Sequence, residues 1–218
     1  MFLFVQQWEI RKGKENEYSN FVLQKHLPAM NRMGLKTIGG FHVIIGSGPR
    51  IASASLADDF LSLQKAVQSE EFIEITKEFF NYIYNYSNAV LKDTGRVDMA
   101  NYSLSLGTCR FNQYFKLAPG SEKEYAKFLQ NDYIPKLAKM GIRVQAEWQV
   151  IIGDTMRLLL EGVAASAVDV AQAIITDEYR SLRRHLLANY ANNYSCRILA
   201  PTGRVEVAYI LGGMMKAL

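Results

Sequence analysis

Apolar and polar residues alternate in three short stretches of the first half of the chain. This period predicts β-strands, here at residues 2–10, 36–46 and 50–57. Residues 14–33 instead carry apolar side chains at helical spacing, and Gly34 follows where a helix C-cap is expected. A second helical region follows the third strand, and a last strand is predicted to start at TGRV, residues 94–97. The predicted order is therefore β-α-β-β-α-β.

The whole pattern recurs in the second half of the chain. From Phe4 to Gly46, 14 of 43 positions are identical to those found 107 residues later. Arg50 and Arg157 extend this match, and TGRV recurs at an offset of 108. An internal repeat of this length indicates a duplicated structural unit. The sequence therefore predicts two domains, 1–106 and 107–218.

The repeated motifs also resemble a known group of proteins. The series GKENEY, LPAMNRMG, FHVIIG and SEEF, and its copy GSEKEY, IPKLAKMG, WQVIIG and TDEY, are similar to the dimeric α/β-barrel superfamily, in particular to NIPSNAP-like proteins. The resemblance implies an α+β fold of two tandem ferredoxin-like units, joined in one chain as a pseudo-dimeric eight-stranded barrel. Where the family often has Arg-x-Tyr, this chain has Gln6 and Trp8, or Gln113 and Phe115.

Strict alternation along the second strand sorts its side chains between two faces. One face carries Thr37, Gly39, Phe41, Val43 and Ile45, matched in the second copy by Val144, Ala146, Trp148, Val150 and Ile152. Because this face is almost wholly apolar, we expect it to lie under the helices. The opposite face, with Gly40 and His42, is then expected to line the space between two sheets, where a barrel can hold a small ligand.

Positions that differ in polarity between the copies are candidates for function, since the fold itself does not need them. The differing pairs are Gly40 and Glu147, His42 and Gln149, and His26 and Tyr133. We predict that His42 acts as a general base and that Glu147 orients it. The residues predicted to bind ligand are Gln149, Gln145, Gln6, Gln113, Trp8, Arg50 and Arg157. A hydrogen-bonded core network without a ligand is the alternative.

The other two histidines carry weaker predictions. His26 lies near Pro28 and is expected to cap a helix or to be exposed. His185 could be the axial ligand of a haem, because tandem ferredoxin-like haem proteins such as the chlorite dismutase group have this size. No other cofactor is expected.

Composition excludes several classes of protein. The chain of 218 residues is 49% hydrophobic and 21% charged, which is typical of a globular protein. The net charge of +4 is small, and Arg180, Arg183 and Arg184 are read as a solvated helix surface, so no nucleic-acid partner is expected.

No apolar run reaches membrane-spanning length, and no phosphate loop or nucleophile elbow occurs. Cys109 and Cys196 lack metal-ligand spacing, so we expect free thiols, no metal site and a cytoplasmic location.

These observations lead to one expected function and two alternatives. The first is a small-molecule-binding protein with a cavity between its two halves, whose further association as a homodimer is left open. The second is a cofactor-independent enzyme of the same barrel class, such as a monooxygenase, isomerase or cyclase. The third is a haem-binding protein that uses His185.

Overall fold

The computed structural model describes residues 1–99, 102, 107–153 and 157–203. Within them, helices and antiparallel strands alternate as β-α-β-β-α-β in each copy, so the predicted α+β class is confirmed. The chain divides into two compact units. Of the described residues, unit 1 contains 1–43, 48–91 and 201–203, and unit 2 contains 44–47 and those within 92–200.

The first copy contains four strands and four α-helices. The strands are β1 (Phe2–Ile10), β2 (Lys36–Ile45), β3 (Ile51–Ala57) and β4 (Ile83–Asp93), and β3 pairs with both β1 and β2. The helices are α1 (Glu15–Phe21), α2 (Leu27–Arg32), α3 (Phe60–Gln68) and α4 (Glu70–Phe79). A side chain caps the N-terminus of each of the last two helices. At α3, for example, Asp59 accepts a hydrogen bond from the amide of Ser62 at 2.8 Å.

The second copy repeats this order. Its strands are β5 (Cys109–Leu117), β6 (Arg143–Ile152), β7 (Leu158–Ala164) and β8 (Ala191–Pro201), in the sheet order β8-β5-β7-β6. Its helices are α5 (Glu122–Phe128), α6 (Ile134–Lys139), α7 (Ala167–Ile174) and α8 (Asp177–Asn189). No helix within the described ranges is long and apolar enough to cross a membrane.

A short π-helical turn interrupts the first helical region of both copies. It covers Val22–His26 in the first copy and Leu129–Tyr133 in the second. Pro28 and Pro135 follow it closely, and a proline supplies no N–H to the helical ladder. A π turn widens the helix locally and so accommodates the missing hydrogen bond.

The last strand of each copy lies earlier than the sequence predicted. β4 ends at Asp93 and β8 at Pro201, so TGRV follows the strand instead of starting it. Tyr84 and Tyr86 lie in β4 and Tyr82 directly precedes it, so their period of two marks this strand. Residues 92–99 then belong to unit 2, whereas Thr202 belongs to unit 1. Arg204 and Val205 lie outside the described residues.

The helix side of each sheet carries an apolar core. In unit 1, the Phe79 ring lies 5.0 Å from that of Trp8 and 5.5 Å from that of Phe21. In unit 2, Phe111, Phe115 and Tyr125 hold the equivalent place and are completely or almost completely buried. Side chains that face these clusters therefore lie between sheet and helices.

A β-bulge reverses the faces that strict alternation assigned to β2 and β6. Thr37 pairs with Ser55, but Gly39 pairs with Ala54, so Ile38 is the extra residue. In β6 the extra residue is Gln145, 107 positions later. An extra residue shifts the alternation by one position. The prediction is therefore right for Thr37 and wrong beyond it.

After the bulge, Phe41 and Trp148 point away from the helices. His42 lies in register with Ile51, which lies in register with Trp8 in the helix-side core. The side chain of His42 is exposed, so the expectation that it lines the interior of a barrel is wrong.

Substitutions at two neighbouring positions test this reversal. Phe41 is 5% exposed, and Phe41→Ala should lower the free energy of unfolding by about 3 kcal/mol, because it removes a buried ring. His42→Ala should change it by less than about 0.5 kcal/mol, since His42 is exposed. Urea unfolding of the two variants measures the difference. A larger loss for His42→Ala would contradict the bulged register.

Candidate functional site

A buried ion pair lies on one face of the second sheet, which is formed by β8, β5, β7 and β6. This face points away from the helices. Arg110 on β5 and Glu161 on β7 are joined through Nη1 and Oε1 at 3.1 Å, and their side chains are 4% and 6% exposed. Along β5, Arg110 faces the opposite way from Phe111 and Gln113, whose neighbours Tyr179 and Tyr133 are on or beside helices. This ion pair is thus separate from the helix-side core.

Two aromatic side chains complete the hydrogen bonds of the Glu161 carboxylate. The hydroxyl of Tyr102 donates to Oε2 at 2.9 Å, and the indole N–H of Trp148 donates to the same oxygen at 2.8 Å. Burial, and then the nearby Glu161 carboxylate, raise the pKa of Tyr102, so its phenol stays protonated. With three donors, Glu161 is held as a buried anion in a fixed position.

Beside this network lies a buried amide with an unmet hydrogen bond. Asn112 is 6% exposed, and its Nδ2 donates to the hydroxyl of Tyr114 at 3.4 Å. Its Oδ1 is buried and has no partner within the described residues. Turning the amide over would only exchange the unpaired oxygen for an unpaired N–H. A buried polar atom without a partner is costly, and it points to a missing group.

The Tyr114 ring forms one side of the same region. The guanidinium carbon of Arg197 lies 5.4 Å from its centroid, a distance at which a cation and an aromatic ring attract. Burial raises the pKa of Tyr114, which remains a neutral phenol. The face therefore combines two cations, one anion, one amide and three aromatic rings.

The first copy of the repeat has none of these polar groups. The counterparts of Arg110, Asn112 and Glu161 are Leu3, Val5 and Ala54, and Phe41 stands for Trp148. The fold therefore does not require polar side chains at these positions. Comparing the two copies along β1 and β3, as was done for β2, would have detected them from the sequence.

The predicted catalytic pair has a different environment from the one expected. Glu147 is completely buried and accepts hydrogen bonds from Tyr125 at 2.5 Å and from Thr94 at 2.6 Å. Arg96 forms an ion pair with it at 2.6 Å. These partners all belong to unit 2, so the carboxylate is stabilised without His42. The catalytic roles stay predictions.

The glutamines and Trp8 mostly make hydrogen bonds on the helix side. Gln113 accepts from Tyr133 at 2.7 Å and from Tyr194 at 2.9 Å. In the first copy, Gln6 donates to Tyr86 at 2.8 Å, and Trp8 donates to Tyr18 at 3.1 Å. Their role in ligand binding stays a prediction, and these contacts match the alternative of a core network.

The remaining predicted binding residues lie on β6 or at hairpin ends. Gln145 is the buried bulge residue and Gln149 is half-buried. The backbone carbonyls of Arg50 and Arg157 accept from the amides of Val43 and Val150 at 2.8 and 2.9 Å. Both arginines thus help to close the two hairpins, and their role in ligand binding stays a prediction.

His26 is buried, contrary to the expectation of a capping or exposed residue. It is 3% exposed and lies among the rings of Trp8, Phe21 and Phe79. Burial lowers the pKa of His26 to about 4. His26 is the last residue of the π turn, directly before α2.

His185 is exposed on α8. Its ring lies 4.8 Å from that of Phe128 and 5.7 Å from that of Tyr190, and Asn189 donates to its carbonyl at 2.9 Å. The adjoining surface groove includes Asp132, Lys136 and Glu178. A haem needs a largely apolar pocket around its ring, and this charged groove does not fit one.

The fold is similar to that of several solved structures. A candidate monooxygenase from Lactobacillus acidophilus aligns with a TM-score of 0.59 and 10% identity, over 92% of this chain and 93% of its own. An anthrone oxidase-like protein aligns with a TM-score of 0.61 and 10% identity, over 92% and 91%. A haem-binding protein from Thermus thermophilus aligns with a TM-score of 0.56 and 12% identity, over 97% and 94%.

The chain shares its fold with dimeric α/β-barrel proteins. The resemblance predicted from the sequence is therefore confirmed at the level of the fold. NIPSNAP proteins are also similar, with TM-scores of 0.36 to 0.37 over 45 to 48% of this chain. No protein-family model and no curated protein matches the sequence.

The burial of His26 predicts a loss of stability in acid. Its pKa falls from 6.5 to about 4 on folding, so the folded state resists protonation. Stability is complete above pH 6.5 and decreases by about 3 kcal/mol as the pH falls to 4, because only the unfolded chain binds the proton.

The second copy supplies the matched variant, since Tyr133 stands at the position of His26. His26→Tyr should remove most of this pH dependence in urea unfolding, whereas His42→Gln should keep it. An unchanged pH dependence in His26→Tyr would contradict the assignment.

The Arg110–Glu161 ion pair predicts a non-additive pair of substitutions. Arg110→Leu should cost about 3 to 5 kcal/mol, because it leaves Glu161 buried and unpaired. Adding Glu161→Gln should recover part of that loss, because it removes the charge and keeps an acceptor for Tyr102 and Trp148. A double-mutant cycle by urea unfolding measures the coupling. Simple additivity would show that the two side chains do not interact.

Proposed function

We propose that the protein binds a small organic molecule at the polar face of the second sheet. The binding residues would be Arg110, Asn112, Glu161 and Trp148. The observation that carries the proposal is the buried polar set itself, which one copy of the repeat has and the other lacks. Burying charges without structural need costs stability, and such groups are typically kept for function.

The chemistry of this face favours a flat molecule that bears a hydroxyl or N–H group. Asn112 Oδ1 is an acceptor without a partner within the described residues, so a ligand would donate to it. The rings of Tyr102, Tyr114 and Trp148 provide surfaces for a planar ring system. Arg110 and Arg197 add positive charge, which would favour electron-rich oxygens on the ligand.

We also propose that the two copies are ferredoxin-like units that replace the two subunits of a dimeric barrel. Both copies have the order β-α-β-β-α-β. The candidate monooxygenase aligns over 93% of its own chain and 92% of this one, so both copies together match a single chain.

An enzyme of this barrel class is the alternative, because two of the similar structures are a candidate monooxygenase and an anthrone oxidase-like protein. The sequence predicted His42 as the general base of such an enzyme. His42 is exposed. Glu161 already accepts from three donors, so it is not positioned to take a proton from a ligand. Binding is therefore the function we propose.

The proposal predicts that removing the ion pair weakens binding while the fold persists. Flat phenolic compounds should quench Trp148 fluorescence or raise the melting temperature of the native protein. The double variant Arg110→Leu with Glu161→Gln should lose at least about tenfold in affinity, the equivalent of one buried charged contact.

The matched control is the exposed pair of Arg32 and Glu71 in unit 1, joined at 2.5 Å. Arg32→Leu with Glu71→Gln should bind as the native protein does. If both double variants bind equally well, the polar face is not the binding site.

A further inference from the structure

Arg183, in the middle of α8, is a half-buried cation that lies beside two phenol rings. Its guanidinium carbon is 6.0 Å from the centroid of the Tyr179 ring and 5.9 Å from that of Tyr194. At these distances a cation and an aromatic ring attract each other. Tyr179 lies four residues earlier on α8 and Tyr194 lies on β8, so the Arg183 side chain lies where the helix meets the strand.

Hydrogen bonds hold the two rings in place. The hydroxyls of Tyr179 and Tyr194 are 2.7 Å apart. Both lie within hydrogen-bonding distance of Oε1 of Gln113, at 3.3 and 2.9 Å, and Gln113 is completely buried. These bonds engage only the hydroxyl ends of the rings. The rings therefore form a fixed platform for the guanidinium without using any of its N–H groups.

Nothing in the described part of the chain neutralises Arg183. It makes no hydrogen bond and no ion pair to a described residue, and its contacts are those with the two rings. The positions three and four residues away along α8 hold no acidic side chain, since they are Tyr179, Arg180, Leu186 and Leu187. A guanidinium has five N–H donors, and cations removed from water are normally paired. Arg183 therefore has both the charge and the donors to receive an anion.

The first copy shows that the fold does not need this cation. Thr76 stands at the position of Arg183, and Phe72 stands at that of Tyr179. The helix of the first copy thus lacks both the guanidinium and one ring of its platform. Like the ion pair on the opposite face of the sheet, the arrangement is particular to the second copy.

An exposed apolar side chain follows Arg183 along the same side of α8. Leu187 lies four residues later and is 38% exposed. Residues four positions apart on a helix are neighbours on its surface. The surface therefore offers a positive charge with an apolar contact beside it, which suits an anion that carries an apolar group.

We propose that Arg183 binds the carboxylate of a small organic acid. A carboxylate matches a guanidinium because its two oxygens accept two parallel N–H bonds. The apolar part of the acid would lie against Leu187. This site is on the helix side of the second sheet, whereas Arg110 and Glu161 lie on the opposite face, so either site can be present without the other.

Benzoate is the probe, because it joins a carboxylate to a flat apolar ring. Benzamide keeps the ring without the charge, and acetate keeps the charge without the ring. In calorimetric titrations at constant ionic strength, benzoate should bind the native protein saturably. Its affinity should exceed that of either control by at least about tenfold, since each control lacks one of the two contacts.

Three variants locate the site. Arg183→Gln keeps most of the side chain but removes the charge, and should weaken benzoate binding by about tenfold or more. Arg184→Gln is the matched control, because Arg184 is exposed and its loss changes the net charge equally. It should change the affinity by less than about twofold. The double variant Arg110→Leu with Glu161→Gln should bind benzoate as the native protein does, since it alters only the polar face.

The absence of saturable benzoate binding, or equal binding of either control compound, would overturn the proposal. An equal loss in Arg183→Gln and Arg184→Gln would overturn it too, because benzoate would then be attracted to the helix as a whole. A loss confined to the polar-face variant would place benzoate at that face instead. If Arg183→Gln does not fold, Arg183→Lys replaces it. Lysine keeps the charge without the planar pair of donors and should weaken binding about threefold, so an unchanged affinity there would contradict the site.

Discussion

One extra residue in β2 and in β6 determines what each face of the two sheets carries. Without the bulges at Ile38 and Gln145, Phe41 and Trp148 would lie under the helices, and His42 and Glu147 would point the other way. With the bulges, Glu147 reaches Tyr125 on the helix side and Trp148 reaches Glu161 on the opposite side. Because both copies share the bulge, it belongs to the fold and not to either site.

The duplication separates what the fold needs from what it does not. Shared residues such as Pro28 and Pro135 lie next to a shared structural feature, the π turn. Buried polar residues that occur in only one copy are not explained by a structural feature that both copies share. In the other copy, Leu3 and Ala54 stand at the positions of Arg110 and Glu161, and Gly40 stands at that of Glu147. The two differences place distinct chemistry in the two units.

Much of the fold could be predicted from the sequence, because periodicity and repetition are local signals. The bounds of β1, β2 and β3 agree within one residue with the strands predicted at 2–10, 36–46 and 50–57, and β5 and β6 repeat them in the second copy. The bulge could not be predicted, since Ile38 and Gln145 share no chemical feature and a bulge depends on the partner strand. The last strand was misplaced because TGRV was the more conspicuous repeat, although the alternating tyrosines before it carried the strand signal.

The sites were harder to predict than the elements. Arg110 and Glu161 are 51 residues apart (161 minus 110) and meet only through the register of β5 and β7. His26 was expected to cap a helix or to be exposed because it lies near Pro28, whereas it lies in the core. Polarity differences between the copies were the useful signal, but each face could be assigned only once the bulge was known.

Mass spectrometry of the protein isolated from its natural source under native conditions tests the central claim most directly. We expect a small organic molecule to accompany the native chain and the control pair Arg32→Leu with Glu71→Gln. It should be absent from the variant with Arg110→Leu and Glu161→Gln. Retention of the same molecule by all three proteins would contradict the assignment of the polar face as the binding site.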